Sequence, residues 1–308
     1  GWIPLEDDVV ADEPVAPPTQ RAIFAFGGID GNVINASNLV NSSGVIGSDV
    51  TGVGTARKQL AAAGYGGDKA IFAFGKNQAG TRLSMTNLVS NSGVVASDTT
   101  GTSTANQSMG AATYGVDKAI FAFGYTSGNT NTRNLVNSSG VMSAAVSGAG
   151  SARHDLAATG YGTPADGTAI MAYGYISGST AVSNLVNNVG VVASDTGGVG
   201  TARQNLAAAR YGADKALFAF GSGAVNTRNL VSNSGVVAAD ASGAGTARFY
   251  VGAAMYGGDK AVIAFGTTNS DFLSLKNLVS NLGVVSADVT GVGTGRIQTA
   301  ASGYGYSA

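Results

Sequence analysis

Nearly identical segments of eight residues recur along this chain. The segment DKAIFAFG at residues 68–75 returns as DKAIFAFG at 117–124, DKALFAFG at 214–221 and DKAVIAFG at 259–266. The aromatic-glycine ending occurs six times, at Gly27, Gly75, Gly124, Gly174, Gly221 and Gly266. Spacings of 45 to 50 residues between these glycines indicate an architecture built from one repeated supersecondary unit.

Three other markers keep the same order from copy to copy. The leucine of an NLV segment is Leu39, Leu88, Leu135, Leu185, Leu230 and Leu278. The arginine of GTAR-type segments is Arg57, Arg153, Arg203, Arg248 and Arg296. The tyrosine of a YG pair is Tyr65, Tyr114, Tyr161, Tyr211, Tyr256 and Tyr304. The order of all four markers predicts six copies of one unit.

One full unit, residues 57–104, is interpreted as four short strands. LAAAGYG is strand a, KAIFAFG strand b, MTNLVSN strand c and GVVASD strand d. The links GYGGDK and NSG are short enough for hairpins, so neighbouring strands are expected to be antiparallel. With 47 glycines and only 11% charged residues, the chain favours strands and turns over helices.

Both faces of each predicted sheet are apolar and must pack against neighbouring sheets. Phe72 and Phe74 point to one face of strand b, while Ile71 and Ala73 point to the other, and all four are apolar. Six such sheets on this period predict an all-β fold, a six-bladed β-propeller of four-stranded antiparallel blades. An open solenoid is the alternative that such stacking also allows.

The two ends of the repeat array are complementary. The first copy begins at strand b, and the last copy ends with a lone strand a, QTAASGYG at residues 298–305. We therefore expect the C-terminal strand to pair with the first blade and close the ring. The propeller domain is predicted to span residues 20–308.

Residues 1–19 differ from everything that follows. They hold five acids and no base, together with four of the five prolines of the chain. We expect an extended acidic, Pro-rich arm that anchors the protein to a neighbouring subunit, with Trp2 and Ile3 as its apolar contact.

The unit R…LAAAxYGxDKAIFAFG resembles the kelch repeat over residues 21–305. It departs from that pattern because the usual Gly-Gly pair is present only at Gly27–Gly28 and no unit contains Trp. The segment NLVSNSGVVASDTTGTSTAN at 87–106 also resembles repeat arrays of tailed-bacteriophage virion proteins. That resemblance implies a structural or recognition role on a phage particle, as a fibre, decoration or tail-associated protein in an extracellular location. The partners it implies are other virion proteins through the arm, and a host surface glycan or receptor.

Enzymatic activity is not expected. The copper site of the kelch-like galactose oxidases uses a Cys-linked Tyr with His ligands, and this chain has no Cys and one His, His154. Sialidases need a catalytic Glu, and the only glutamates, Glu6 and Glu13, lie in the arm. No cofactor or metal is expected, and His154 is interpreted as an ordinary loop residue.

A repeated Asp precedes the repeated Arg by eight residues. The pairs are Asp49 with Arg57, Asp195 with Arg203, Asp240 with Arg248, and Asp288 with Arg296. One interpretation is a ring of charged groups around a channel mouth. The favoured one is a structural network that anchors the crossover between blades, because Arg is suited to bonding carboxylates and loop carbonyls. Asn106 and Ala145 each replace one member of the repeated set.

The copies differ most between strands b and c. Since strand alternation places these loops on one end of the fold, they are predicted to form a recognition face. Its candidate residues are Asn32, Arg82, Asn129, Tyr175, Asn226 and Phe272.

The alternative function is a carbohydrate-binding lectin or adhesin on a bacterial surface. Neither nucleic-acid binding nor membrane insertion is expected, because basic residues are dilute and no apolar run reaches roughly 18 residues.

Overall fold

The computed structural model describes residues 20–101 and 103–305, and these residues contain twenty β-strands and no α-helix. This part of the chain therefore offers no helix long and apolar enough to cross a membrane. The predicted arm, with Trp2 and Ile3, lies outside the described residues.

The strands form six antiparallel sheets, numbered here in chain order. Sheet 1 contains β1 (Arg21–Ile29), β2 (Asn32–Val40) and β20 (Ala300–Tyr304). Sheet 2 contains β3 (Ala61–Tyr65), β4 (Lys69–Ala73) and β5 (Thr86–Val89). Sheet 3 contains β6 (Gly110–Tyr114), β7 (Lys118–Ala122), β8 (Thr132–Val136) and β9 (Val146–Ser147). Sheet 4 contains β10 (Ala157–Tyr161), β11 (Thr168–Ala172) and β12 (Ser183–Val186). Sheet 5 contains β13 (Ala207–Tyr211), β14 (Lys215–Ala219), β15 (Thr227–Val231) and β16 (Ala241–Ser242). Sheet 6 contains β17 (Gly252–Tyr256), β18 (Lys260–Ala264) and β19 (Lys276–Val279).

Strands a, b and c of the repeat unit are confirmed. In sheet 2, β3 pairs with β4 so that Tyr65 lies opposite Lys69, and β4 pairs with β5 so that Ile71 lies opposite Leu88. The short link predicted to form the a-to-b hairpin does so, with residues 66–68 as the turn between the paired Tyr65 and Lys69. The residues of the c-to-d link also form a turn, in which Ser90 N–H donates to Val94 O and Gly93 N–H donates to Ser90 O, both at 3.0 Å.

The prediction of four-stranded sheets is not confirmed for every sheet. Among the described residues a fourth strand is present only in sheets 3 and 5, and it is two residues long. In sheet 2 the fourth segment makes only isolated bridges, at Val95 and at Thr99. Asn87 on strand c donates its amide to Ala96 O at 2.9 Å and to the Asp98 carboxylate, and so connects strand c to this segment through its side chain. The equivalent Asn134 and Asn229 make the same bond in the two sheets that have a fourth strand.

Hydrophobic clusters lie between sheets that follow each other. Phe72 and Ile71, on opposite faces of β4, are both fully buried. Phe72 belongs to the cluster shared with sheet 1, and Ile71 to the cluster shared with sheet 3. The other clusters join sheets 3 and 4, 4 and 5, 5 and 6, and 6 and 1.

The two ends of the described chain meet in sheet 1. Strand β20 pairs with β1 in an antiparallel register that places Arg21 opposite Tyr304 and Ala25 opposite Ala300. The predicted pairing of the C-terminal segment with the first copy is therefore confirmed. It gives sheet 1 the inner strand that its own N-terminal part lacks.

Removal of β20 is expected to destabilise the protein as a whole. Truncation after Arg296 uncovers Phe24 and Ala25 on β1 and removes Tyr304, which is fully buried. We expect a fall in the thermal midpoint of unfolding, measured by circular dichroism. The control is truncation after Gly305, which keeps β20. Equal midpoints for the two truncated proteins would contradict this role of β20.

Candidate functional site

A buried arginine holds the segment that enters five of the six sheets. Arg57 is fully buried; its Nε donates to Phe74 O at 2.9 Å, its Nη1 to Thr55 O at 3.1 Å and its Nη2 to Asn87 Oδ1 at 2.6 Å. Its guanidinium lies 4.2 Å from the ring centre of Phe26 in sheet 1. Arg203 and Arg248 repeat this set of bonds. The arginine thereby ties strands b and c of its own sheet to the preceding sheet.

The arginine also stabilises an unusual end to strand b. Phe74 adopts a left-handed backbone conformation with φ of 66°, which is costly for an aromatic residue, and Gly75 follows with φ of 98°. A Cβ at Gly75 would lie 2.8 Å from Lys58 O, so only glycine fits this approach. The bend turns the Phe74 carbonyl toward the guanidinium.

The carboxylate partners predicted from the eight-residue spacing are wrong. Arg57 lies 3.7 Å from Asp98, not beside Asp49, and Asp49 lies 3.5 Å from Arg296. The remaining pairs are Arg153 with Asp195, Arg203 with Asp240, and Arg248 with Asp288. An Asp and the Arg eight residues later belong to different sheets, because the crossover between them leads from the last segment of one sheet to the first strand of the next.

Sheet 3 lacks this arginine and its carboxylate together. Asn106 stands at the arginine position and donates to Phe123 O at 3.0 Å, as the Arg57 Nε does to Phe74 O. Ala145 stands at the carboxylate position of the same sheet. The two replacements seen in the sequence are therefore the two halves of one missing ion pair.

A third replacement in sheet 3 fits the same explanation. Ser103 stands where the other copies have glycine. A Cβ at the equivalent Gly54 would lie 2.5 Å from the Asp98 carboxylate, so a side chain fits only where that carboxylate is missing. The Ser103 hydroxyl accepts a hydrogen bond from the Asn134 amide at 2.7 Å.

Restoring the arginine alone is expected to destabilise sheet 3. Asn106→Arg would bury a guanidinium with no carboxylate, at a cost of roughly 3 kcal/mol in free energy of unfolding. The triple variant Ser103→Gly, Asn106→Arg, Ala145→Asp rebuilds the set found in the other sheets, and we expect it to recover most of that loss. Urea unfolding of both variants measures the difference. Equal stability of the single and triple variants would contradict the coupling.

The network makes folding stability depend on pH. Burial alone raises the pKa of Asp98, but bonds from the Thr55 hydroxyl, the Asn87 amide and the Thr55 N–H, with the charge of Arg57, lower it below its ordinary value of 3.8. The pKa values of the four equivalent residues are also lowered, at Asp49, Asp195, Asp240 and Asp288.

A group with a lowered folded-state pKa stabilises the protein above its unfolded pKa and loses that effect as the pH falls. The thermal midpoint is therefore expected to fall as the pH drops through about 3.8 and below. Asp240→Asn removes one of the five groups, so its midpoint should depend less steeply on pH over that window. A slope equal to that of the unchanged protein would contradict this assignment.

Two variable residues follow each repeat arginine, and likewise follow Asn106 in sheet 3. We call the second residue of each pair a hub residue. The hub residues are Gln59, Ser108, Asp155, Asn205, Tyr250 and Gln298, one from each sheet, all with left-handed φ. Each backbone N–H from Ser108 to Gln298 donates to the carbonyl of the hub residue before it, at 2.8 to 3.1 Å. Together with the residues that follow them, they line a cavity of about 110 Å³.

A larger cavity of about 400 Å³ is lined by the first strands of sheets 2 to 6 and by β20 of sheet 1. Its walls are mainly Ala, Gly and Thr residues of these strands and of the a-to-b turns. Small side chains are required there because six strands approach one another.

The residue directly after the repeat arginine, or after Asn106 in sheet 3, begins a row of side chains at the end of its sheet. In sheet 2 Lys58 is the bridge partner of Lys76, and Lys76 is the partner of Arg82. The equivalent rows are Gln107, Tyr125 and Asn129 in sheet 3, His154, Tyr175 and Ser179 in sheet 4, and Phe249, Thr267 and Phe272 in sheet 6. We call these sets the end rows. Each differs in chemistry from the others, whereas the arginine before it is shared by five of the six sheets.

The end rows of sheets 2, 3 and 4 are in contact. The Arg82 guanidinium lies 5.0 Å from the ring centre of Tyr125. The ring centre of His154 lies 5.2 Å from that of Tyr125 and 5.3 Å from that of Tyr175. His154 Nδ1 is 2.7 Å from Asn129 Oδ1, so His154 is part of a cluster and not an ordinary loop residue as predicted.

Partly buried charged groups near these rows affect each other's pKa values. Burial raises the pKa of Asp155, and the Ser108 hydroxyl and the charges of His154 and Lys76 oppose that shift. Burial lowers the pKa of Lys76, and Lys58 and Arg82 lower it further, while Asp155 opposes them. Two positive charges, those of Lys58 and Arg82, thus act on Lys76 against one carboxylate, that of Asp155.

Four of the six predicted recognition residues, Arg82, Asn129, Tyr175 and Phe272, lie in end rows. Asn32 is exposed at the tip of the β1–β2 hairpin. Asn226 has a framework contact instead, because its amide donates to Gly243 O and Gly245 O, as Asn131 does to Gly148 O and Gly150 O. Whether any of them binds a partner remains a prediction.

The sequence interpretation missed the end-row residues that follow the repeat arginine. Lys58, Gln107, His154 and Phe249 occupy the same position of four copies. Their signal is a variable pair within an otherwise uniform segment, as in RKQL, RHDL and RFYV. The contrast between neighbouring positions could have identified them.

No protein-family model matches the chain, and no curated protein matches it either. Among the described residues no group of three or more His, Cys, Asp or Glu side chains is placed to hold a metal ion.

Proposed function

We propose that the six sheets are the blades of a closed, kelch-like β-propeller. Three observations support this proposal. Hydrophobic clusters join each sheet to the next and sheet 6 to sheet 1. The Arg296 guanidinium donates to Asn38 Oδ1 at 2.6 Å, a bond within sheet 1 between the two ends of the chain. Residues of all six sheets line both cavities.

On this scaffold the protein acts as a non-enzymatic recognition module, with the end rows as its binding surface. The observation that carries the proposal is the contrast between a repeated framework and end rows that all differ. A rigid framework that presents diverse side chains at one end is typical of binding surfaces. The repeat arginines hold this arrangement, because each lies directly before the first residue of its row.

We place this module on a phage particle, as a fibre, decoration or tail-associated protein that contacts other virion proteins through the arm at residues 1–19. The support is the resemblance of the repeat segments to arrays of tailed-bacteriophage virion proteins.

A lectin or adhesin on a bacterial surface is the second candidate. The contact between Tyr125, His154 and Tyr175 favours it, because adjoining aromatic rings offer area on which a sugar ring packs.

Replacing the end-row aromatics tests the recognition role. Tyr125→Ser combined with Tyr175→Ser is expected to abolish binding to a glycan array or to host cells. The control is Val94→Ser combined with Val236→Ser, because both valines are 65% exposed in the c-to-d turns at the other end of the sheets. Unchanged binding by the tyrosine variant would contradict the proposed surface.

Mass spectrometry of purified phage particles distinguishes a virion component from a lectin or adhesin of the bacterial surface. A virion component is expected at a fixed number of copies per particle. Absence from particles, together with presence on the bacterial surface, would favour the lectin.

A further inference from the structure

The end row of sheet 2 brings three cations together. Lys58 N–H donates to Lys76 O at 3.0 Å, and Lys76 N–H donates to Lys58 O at 2.9 Å, so their side chains leave the same face as direct cross-strand partners. Arg82 is the partner of Lys76 on its other side. Like charges in directly opposite positions of a sheet repel each other.

No carboxylate of the described residues forms an ion pair with any of the three cations. Asp155 acts on Lys76 from a distance, and its carboxyl group lies 3.5 Å from His154 Nε2. Arg82 Nε is buried, and it has no hydrogen-bond partner among the described residues. This row thus offers donors and positive charge without an internal anion, an arrangement that a bound anion would stabilise.

Aromatic side chains of sheets 3 and 4 lie next to the three cations of sheet 2. Tyr125 lies beneath the Arg82 guanidinium, His154 contacts Tyr125, and Tyr175 contacts His154. A ligand that reaches all of these groups needs an anionic group at one end and a body that packs on aromatic rings.

We propose that the end row of sheet 2 binds the carboxylate or sulfate of an acidic saccharide whose sugar rings pack on Tyr125, His154 and Tyr175. This inference rests on the proposed recognition role and assigns its ligand class.

The distribution of charge argues against a nucleic acid as the ligand. Single-stranded nucleic acid is held by a track of cations that follows many phosphates. The end row of sheet 6 holds Phe249, Thr267 and Phe272, and Gln204 and Ser222 occupy the corresponding positions of sheet 5, so the cations do not extend to these sheets. One localised anionic group fits this pattern.

Calorimetric titration of the full chain tests the site. The probes are trigalacturonate, which carries carboxylates, a carrageenan oligosaccharide, which carries sulfates, neutral maltotriose, and oligothymidylate. Saturable binding of one or both acidic saccharides, with none of maltotriose, is expected, and the stronger of the two identifies the anionic group. Equal binding of maltotriose, or tighter binding of oligothymidylate, would overturn the proposal.

Two variants that keep the shape of the side chain locate the binding. Lys76→Met and Arg82→Gln should each weaken acidic-saccharide binding by about tenfold or more, the effect of losing one charge-assisted bond. Lys118→Met is the control, because Lys118 pairs with Asp117 at the a-to-b turn. An equal loss for Lys118→Met would show diffuse attraction and overturn the site.

A second readout does not depend on the choice of saccharide. Lys76→Met should raise the thermal midpoint in chloride buffer, because it removes the repulsion. About 10 mM sulfate, at constant ionic strength, should raise the midpoint of the unchanged protein more than that of the variant. A lower midpoint for Lys76→Met together with an undiminished sulfate response would contradict the site.

The same variants separate this inference from the recognition role. If Lys76→Met retains both saccharide binding and attachment to cells while Tyr125→Ser with Tyr175→Ser loses attachment, the anion site is wrong and the recognition surface stands. If saccharide binding is lost in Lys76→Met but the tyrosine variant still attaches, the anion site stands and the recognition role fails.

Discussion

The structure depends on a guanidinium that is buried between two sheets and bonded on all sides. Arg57 ties the carbonyl of Phe74, the amide of Asn87 and the ring of Phe26, groups that lie far apart in the chain. A buried charge is tolerated only when its donors are satisfied, so each of these groups is constrained by the others. The left-handed Phe74 and the glycine after it turn the Phe74 carbonyl toward the guanidinium. The same conformation recurs at Phe123 and Gly124, where the Asn106 amide takes the place of the guanidinium as donor.

Sheet 3 shows that this arrangement changes as a unit. Where Asn106 replaces the arginine, the carboxylate is replaced by Ala145, and Ser103 occupies space that the carboxylate would fill. The carbonyl at the end of strand b keeps its donor, because the Asn106 amide replaces Nε. The hydrogen bond to that carbonyl is thus common to sheets 2, 4, 5 and 6 and to sheet 3, whereas the ion pair is absent from sheet 3. In sheet 1 the Arg296 Nε is buried and has no hydrogen-bond partner among the described residues.

The sequence was sufficient to predict most of the framework. Repeat spacing gave six copies, strand alternation gave the buried b strands, and the unmatched ends predicted the pairing of β20 with β1. The Asp–Arg partners were wrong because proximity in sequence was taken for proximity in space, although an extended crossover separates the two residues. Asn226 was assigned to recognition because its loop varies, but its amide closes a glycine turn. The contacts of His154 with Tyr125 and Tyr175 could not be predicted, because both tyrosines belong to b-to-c loops of the fold and no local sequence pattern indicates such contacts.

Pairing of β20 with β1 should hold the end of the described chain as firmly as its middle. Hydrogen exchange of the amides in β20, compared with those in the equivalent β3, measures this directly, because exchange reports the free energy of local opening. If Arg296 and Asn38 join the two ends as the other arginines join their sheets, the two strands should be protected to the same extent. Rapid exchange in Ala300–Tyr304 beside slow exchange in Ala61–Tyr65 would contradict the account.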